Sequence, residues 1–232
     1  MINAIIMASG MGTRMRPLTL DTPKPLIKVG DRPMIETVLD GLKNAGVEKF
    51  IIVTGYLGNQ FDYLKDKYPD VILVRNTVYE TVNNISSVYA AKDYLLEGDC
   101  FICEADLYVS DPAIFSDKLS GSCYFGKMVK GYSDDWVFDT DDNGIITRVG
   151  KKGTDSYNMT GIAFLKKEDA ATLYTAITAE YEKPGYEDLF WDDVVDRHIK
   201  EFKLTVHPID NESIIEIDTV EELEEVRHRI KV

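Results

Sequence analysis

The chain has 232 residues, 44% of them apolar, enough for one substantial core, and a formal net charge of -14. So acidic a balance argues against nucleic acid or an anionic membrane surface as a partner. Its three cysteines make no disulfide framework, and neither a signal peptide nor a run of about 18 apolar residues is present, so a cytoplasmic protein is expected.

In chain order, residues 4–7 read as a short buried strand opening into the glycine-rich, basic stretch Ser9-Gly10-Met11-Gly12-Thr13-Arg14-Met15-Arg16-Pro17-Leu18-Thr19. Thr22-Pro23-Lys24-Pro25-Leu26 follows at one loop's length. Met34, Ile35, Val38, Leu39 and Leu42 recur at helical spacing, and Ala45-Gly46 supplies the stop. Strands are predicted over 50–53, 71–74 and 100–103. A helix around Phe61, Leu64 and Lys65, stopped by Tyr68-Pro69, and another over 84–96 separate them. This alternation implies an α/β fold with a mostly parallel sheet and helices on both faces.

Beyond residue 120 the rhythm changes. Strands over 122–128, 136–139, 145–149 and 159–164 follow without helices, and Asp141-Asp142-Asn143-Gly144 marks a hairpin turn. Helices over 170–181 and 188–199 and a strand over 204–206 come next. Asp218-Thr219-Val220-Glu221 opens a last helix in a capping-box-like arrangement, with Glu221, Glu222, Glu224 and Glu225 on a solvated face. With no linker or internal repeat, the expectation is one domain over residues 1–232.

The chemistry concentrates at the N-terminus. Residues 1–30 hold Arg14, Arg16, Lys24 and Lys28 against Asp21 alone, four cations minus one acid, a local balance of +3 in a chain of -14. Glycines let backbone N–H groups approach phosphate oxygens, and cations neutralise them. A dinucleotide fingerprint is excluded because Met15 stands where a third glycine is needed, and a Walker loop because no Gly-Lys-Ser/Thr occurs. Cys100-Phe101-Ile102-Cys103 has the spacing of a redox or zinc pair, but no second pair accompanies it, and it reads as a buried strand.

Gly-x-Gly-Thr-Arg-Met-Arg-Pro-Leu-Thr with Thr-Pro-Lys-Pro-Leu resembles the signature of the sugar-phosphate nucleotidyltransferase family. Further stretches, Asn83-Asn84, Glu104-Ala105-Asp106, Asp135-Trp136, Asp188-Leu189-Phe190-Trp191-Asp192 and Ile215-Glu216-Ile217-Asp218, are similar to the bacterial CTP:phosphocholine cytidylyltransferases within it. The likeness covers nearly the whole chain. It implies a Rossmann-like domain with a nucleotide-binding half, 1–120, and a β-rich acceptor-binding half, 121–232. It also implies CTP as donor, phosphocholine as acceptor, and Mg²⁺.

Carried over residue by residue, the resemblance makes Arg14 and Lys24 the catalytic phosphate contacts. Ala8, Ser9, Gly10, Gly12 and Thr13 would lie along the nucleotide, with Asn83 or Ser87 near base and sugar. Asp106 and Asp192 would hold the metal. For Asp106 the position after a parallel strand agrees, since ligands bind at the carboxyl ends of such strands. An Asp-Asp pair such as Asp192-Asp193 also fits a plain helix N-terminus.

A quaternary ammonium is held by aromatic faces with acids behind. Both tryptophans stand beside acids, so the resemblance implies an acceptor pocket of Trp136, Phe190 and Trp191. Phe190 departs from the tyrosine of the family's pattern, which removes a hydroxyl contact. The expected reaction is in-line attack by the acceptor phosphate on the α-phosphorus, with no general base, since a phosphomonoester is largely dianionic at neutral pH. The alternatives are the same transfer to 2-aminoethylphosphonate or a sugar 1-phosphate, and a non-catalytic nucleotide- or choline-binding module.

Overall fold

The structure, a computed structural model, describes residues 1–115 and 119–230. Strand β1 (Ile2–Ala8) is apolar along almost its whole length because both of its faces are covered. It pairs in parallel with β4 (Lys49–Thr54) on one side and with β6 (Asp99–Glu104) on the other. β5 (Val71–Arg75) lies parallel outside β4. The second half adds β8 (Cys123–Thr140), β9 (Ile146–Leu165) and β10 (Thr205–Pro208), so the seven-stranded sheet runs β10-β8-β9-β6-β1-β4-β5. Strand order reverses at β1, and the crevice at the carboxyl ends of β1 and β6 is where an open α/β sheet binds ligands.

Helix α1 (Met34–Asn44) buries Ile35, Val38, Leu39 and Leu42 against one face of the sheet, and α2 (Tyr63–Lys67) adds Leu64. The other face is covered by α3 (Ile85–Ala90), α4 (Lys167–Tyr181) and α5 (Trp191–Arg197). A third, smaller cluster joins the N-terminal loop to the last helix, α6 (Val220–Ile230). Met15, Ile27 and Val29 pack there on Met34, Ile217, Leu223 and Val226.

Several elements differ from expectation for local reasons. The helix expected over 84–96 is α3 followed by a 3-10 turn, Lys92–Leu96, which turns Leu95 into the core. The helix expected over 188–199 starts only at Trp191. Asp193 Oδ2 accepts the Phe190 N–H at 2.8 Å, and Asn84 Oδ1 accepts the Trp191 N–H at 2.9 Å, which fix the helix start there. The four β-rich runs are limbs of just two long strands. Around the bend the register breaks, and Val137 pairs with both Gly150 and Asn158. Two short antiparallel pairs had no periodic signal: β2 (Lys28–Val29) with β3 (Arg32–Pro33), and β7 (Leu107–Val109) with β11 (Ile214–Glu216).

Cys100 and Cys103 are fully buried on opposite faces of β6, one in each large core cluster, so they cannot grip one ion. Burial pushes the Cys100 thiol up to about 12. Among the described residues no helix is long and apolar enough to cross a membrane.

The far end of α5 is held by one buried carboxylate. Glu180 of α4 takes Lys183 Nζ at 2.6 Å, Arg197 Nη1 at 2.8 Å and His198 Nε2 at 3.1 Å. Burial works against the charged form, but these three donors outweigh it and bring the carboxyl from 4.5 to about 2. Because the folded value is the lower one, the stabilisation is complete above pH 4.5 and is lost as pH falls toward 2. Urea unfolding followed down the acid range should therefore show a smaller loss of stability for Glu180→Gln than for the wild type, and a lower starting stability near neutrality.

Candidate active site

At the carboxyl end of β1 the chain turns through Ser9 and Gly10 into a tight loop. Gly12 sits at φ 58°, ψ 40°, and a Cβ there would lie 2.9 Å from Lys24 Cβ and 3.1 Å from Thr19 Cγ2. Only glycine meets both conditions without displacement. Thr19 Oγ1 donates to the Gly12 carbonyl at 2.8 Å, while Met15 anchors the following turn in the third cluster.

Lys24 is only 6% exposed, and its ammonium donates to Asp106 Oδ2 and to Asp218 Oδ1, both at 2.6 Å. Asp218 also receives Arg14 through two N–H groups, each at 2.8 Å, a bidentate pair. Burial disfavours the Lys24 cation, but Asp106 and Asp218 outweigh it and its pKa is raised. Asp218 is correspondingly held below the usual carboxylate range by Lys24 and Arg14, against its own burial. Asp218 precedes a capping box: Thr219 Oγ1 accepts the Glu222 N–H at 3.2 Å, and Glu222 Oε2 accepts the Thr219 N–H at 2.9 Å. The cap is centred on Thr219 and Glu222, one residue beyond the motif expected to open the helix.

Three clefts meet at this point. A cleft of about 280 Å³ is walled by Ala8, Gly10, Gly12, Thr13, Arg14, Lys24, Asp106 and Asp218. Beside it, one of about 220 Å³ is lined by Ser9, Tyr79, Val82, Asn83, Asn84 and Ser87. Ser9 Oγ and Ser87 Oγ lie 2.7 Å apart at its floor. All seven residues expected along the nucleotide thus line one of two adjoining clefts.

The third cleft, about 380 Å³, contains Trp136 and Phe190, whose rings meet edge-on at 5.5 Å. Its remaining wall is acidic: Glu104, Asp106, Asp134, Asp135, Asp192, Glu216 and Asp218, with Arg14 and Lys151 as cations. Gly161, at φ 77°, lets β9 pass Glu104, whose Oε2 would lie 2.6 Å from an added Cβ. Trp191 is not in this wall. It is 3% exposed and stacks on Tyr124 at 5.6 Å, because the first turn of α5 points its apolar face into the core.

Asp192 is 4% exposed and accepts the Tyr124 hydroxyl at 3.0 Å. Burial pushes its carboxyl up to about 7, with the tyrosine hydrogen bond opposing. Glu104 is driven well above its usual range by burial and then by Asp106, Glu216 and Asp192. Asp106 and Asp192 line the same cleft, but the acid that shares a cation with Asp106 is Asp218.

The sequence profile of the nucleotidyl transferase family matches residues 3–120. A 2-aminoethylphosphonate cytidylyltransferase of Lancefieldella rimae is 53% identical over 226 residues, covering 97% of this chain and 92% of that protein. The chain belongs to the nucleotidyl transferase family. A choline-phosphate cytidylyltransferase of Streptococcus pneumoniae is 34% identical over 230 residues, 99% of each chain. The solved structure of the S. pneumoniae CTP:phosphocholine cytidylyltransferase matches with a TM-score of 0.90 at 33% identity, covering 99% of each chain.

In this nucleotidyl transferase the residues that pattern reading left without a role are chiefly acids. Glu104, Asp135, Glu216 and Asp218 all stand in stretches that carried the family resemblance, so the signal was present. What the sequence lacked was the pairing of Asp218 with Lys24 and the convergence of all four acids on one cleft. Gly12→Ala should test how closely the loop depends on Lys24. It is expected to destabilise the protein by about 1 kcal/mol through its positive φ and to lower turnover more than thermal stability, as read by initial rates beside a melting curve.

Proposed function

We propose that this chain transfers the cytidylyl group of CTP to 2-aminoethylphosphonate, releasing pyrophosphate. The observation that carries the reading is the third cleft, where Asp134 and Asp135, apart from the Asp106 and Asp218 that bind Lys24, share the wall with only two aromatic rings. A primary ammonium has three N–H donors and needs oxygen acceptors around it. A quaternary ammonium has none and needs aromatic faces. With Trp191 in the core, Trp136 and Phe190 alone are left to enclose a trimethylammonium. The 53% identity to the Lancefieldella rimae enzyme supports the same choice. This replaces phosphocholine, the acceptor expected from sequence, as first reading. Phosphocholine remains the second, favoured by the edge-on pair of Trp136 and Phe190 and by the 34% identical relative.

In this reading residues 1–120 and 121–232 form the nucleotide and acceptor halves of one domain. The triphosphate lies along the Gly10–Gly12 backbone, with Arg14 on the departing pyrophosphate and Lys24 between the two substrates. An acceptor oxygen forms a bond to the α-phosphorus as the bond to pyrophosphate breaks in line. The acceptor oxygen is anionic at neutral pH, so no side chain has to remove a proton. Catalysis is then positioning together with cations fixed in place before charge develops.

A divalent cation suits the site. Among the described residues no three carboxylate, imidazole or thiol groups form a closed cage. Asp106 and Asp218, however, already converge on one cation, the Lys24 ammonium, and offer the hard oxygens that Mg²⁺ prefers, with phosphate and water left to complete its shell. Asp106 and Asp218 would hold it, in preference to the pair Asp106 and Asp192, since Asp192 is buried and its Oδ1 already accepts the Tyr124 hydroxyl. Bound there, the ion would supply charge neutralisation of the triphosphate.

Pyrophosphate release with CTP and Mg²⁺ should be fastest with 2-aminoethylphosphonate when phosphocholine and glucose 1-phosphate are offered in parallel. Turnover on phosphocholine alone would return the acceptor assignment to the aromatic pair. Lys24→Ala should lower kcat by about 100-fold or more and also lower the melting temperature, because Asp106 and Asp218 lose the cation they share. Asp135→Asn should raise the KM for the amine-bearing acceptor several-fold with little change in the KM for CTP.

A further inference from the structure

The face of Trp136 that borders the third cleft is not open. The antiparallel register of β8 and β9 sets Trp136 opposite Lys151, so the two side chains leave the same side of the sheet. The Lys151 ammonium stands over the indole, 6.0 Å from the ring centre. The backbone here is held in place by Arg148, which pairs with Asp139. Arg148 donates to the Lys151 carbonyl at 3.3 Å and to the Lys152 carbonyl at 3.0 Å. At Lys152 the chain enters the left-handed region, with φ 73°.

The two cations of this cleft are placed differently. Arg14 is committed to Asp218 through two N–H groups. Lys151 forms no ion pair among the described residues, although Asp134 and Asp135 line the same wall. Its ammonium rests on the ring instead, so the chain itself marks where a cation settles against Trp136. Phe190 meets the same indole edge-on at 5.5 Å, and among the described residues no third ring lines the cleft.

We propose that Lys151 is a specificity-determining residue: its ammonium holds the Trp136 face against quaternary ammonium groups and so favours an acceptor with a primary amine. A trimethylammonium has no N–H and depends on the ring, so it has to displace Lys151. A primary ammonium has three N–H donors and can turn to carboxylates. Asp134 and Asp135 each spend one oxygen, on the Tyr132 hydroxyl and on the Trp136 N–H, and keep a second for such a donor. Repulsion from the Lys151 charge bears on both ammonium groups alike and drops out of their comparison. Loss of the ring face bears on only one of them. The inference rests on the cytidylyl-transfer reading above and adds to it the residue that chooses between the two acceptors.

The test compares kcat/KM for phosphocholine and 2-aminoethylphosphonate in Lys151→Ala and Lys151→Arg, with a melting curve for each variant. Lys151→Ala should raise the ratio of phosphocholine to 2-aminoethylphosphonate about threefold, the effect of one exposed cation–π contact. Lys151→Arg keeps a cation that stacks on an aromatic face and should hold the ratio near that of the wild type. In a Trp136→Leu background Lys151→Ala should not move the ratio. A second readout needs no turnover. Titrated against tryptophan fluorescence, tetramethylammonium should gain about threefold in affinity relative to methylammonium when Lys151 becomes alanine. An unchanged ratio, an equal loss on both acceptors, or a gain that survives Trp136→Leu overturns the role of Lys151 while cytidylyl transfer stands. A wild-type protein inactive on CTP with every acceptor overturns the reading of function, and the tetramethylammonium titration then decides by itself whether Lys151 guards the ring.

Discussion

A buried ammonium has to be paired, and Lys24 is paired twice. Its partners Asp106 and Asp218 lie 82 and 194 residues away in sequence, at the end of the fourth parallel strand and before the last helix. The glycine loop, the parallel sheet and the C-terminal segment must therefore all be in place before the cation can be buried. The third hydrophobic cluster performs that docking, with Met15, Ile27 and Val29 from the loop against Ile217, Leu223 and Val226. Met15, which excludes a dinucleotide fingerprint at the level of sequence, is in the fold the apolar peg that seats the loop.

The same arrangement explains how a chain of net charge -14 can gather positive charge in one cleft. Arg14 and Lys24 are not dispersed on the surface. Asp218 holds both of them, and Asp106 holds Lys24, at the mouth of the β1–β6 crevice, so two fixed cations line the same cleft as the glycine loop. The acids not used in this way gather in the adjoining cleft. There Asp192 and Glu104 are pushed toward their neutral forms by burial, so the cleft does not carry its full formal charge.

Much of the architecture was legible in the chain alone. The apolar runs of β1, β4, β5 and β6 are continuous because both sheet faces are covered, and such runs are visible without coordinates. The gathering of Gly12, Arg14 and Lys24 on one cleft was legible because a glycine-rich basic loop is a local object, made of residues close in sequence whose conformational and charge requirements appear in order. The four β-rich runs were also found, though as separate strands. Their joining into two bent strands rests on register breaks near Val137 that carry no periodic signal. The 3-10 turn at Lys92–Leu96 escaped for a similar reason, since its apolar spacing continues that of a helix.

What remained hidden depended on direction or on distance. Trp191 and Trp136 look alike in sequence, each beside acids, yet one packs on Tyr124 in the core and the other faces the cleft. The rotation of α5 about its axis decides this, and packing against β9 sets that rotation. Asp218 could be seen as part of a motif but not as the partner of Lys24, because no pattern within a segment encodes a contact 194 residues away. Local conformation and charge are written residue by residue; the choice of which acid meets which cation, and which ring meets the substrate, belongs to the closure of the whole fold.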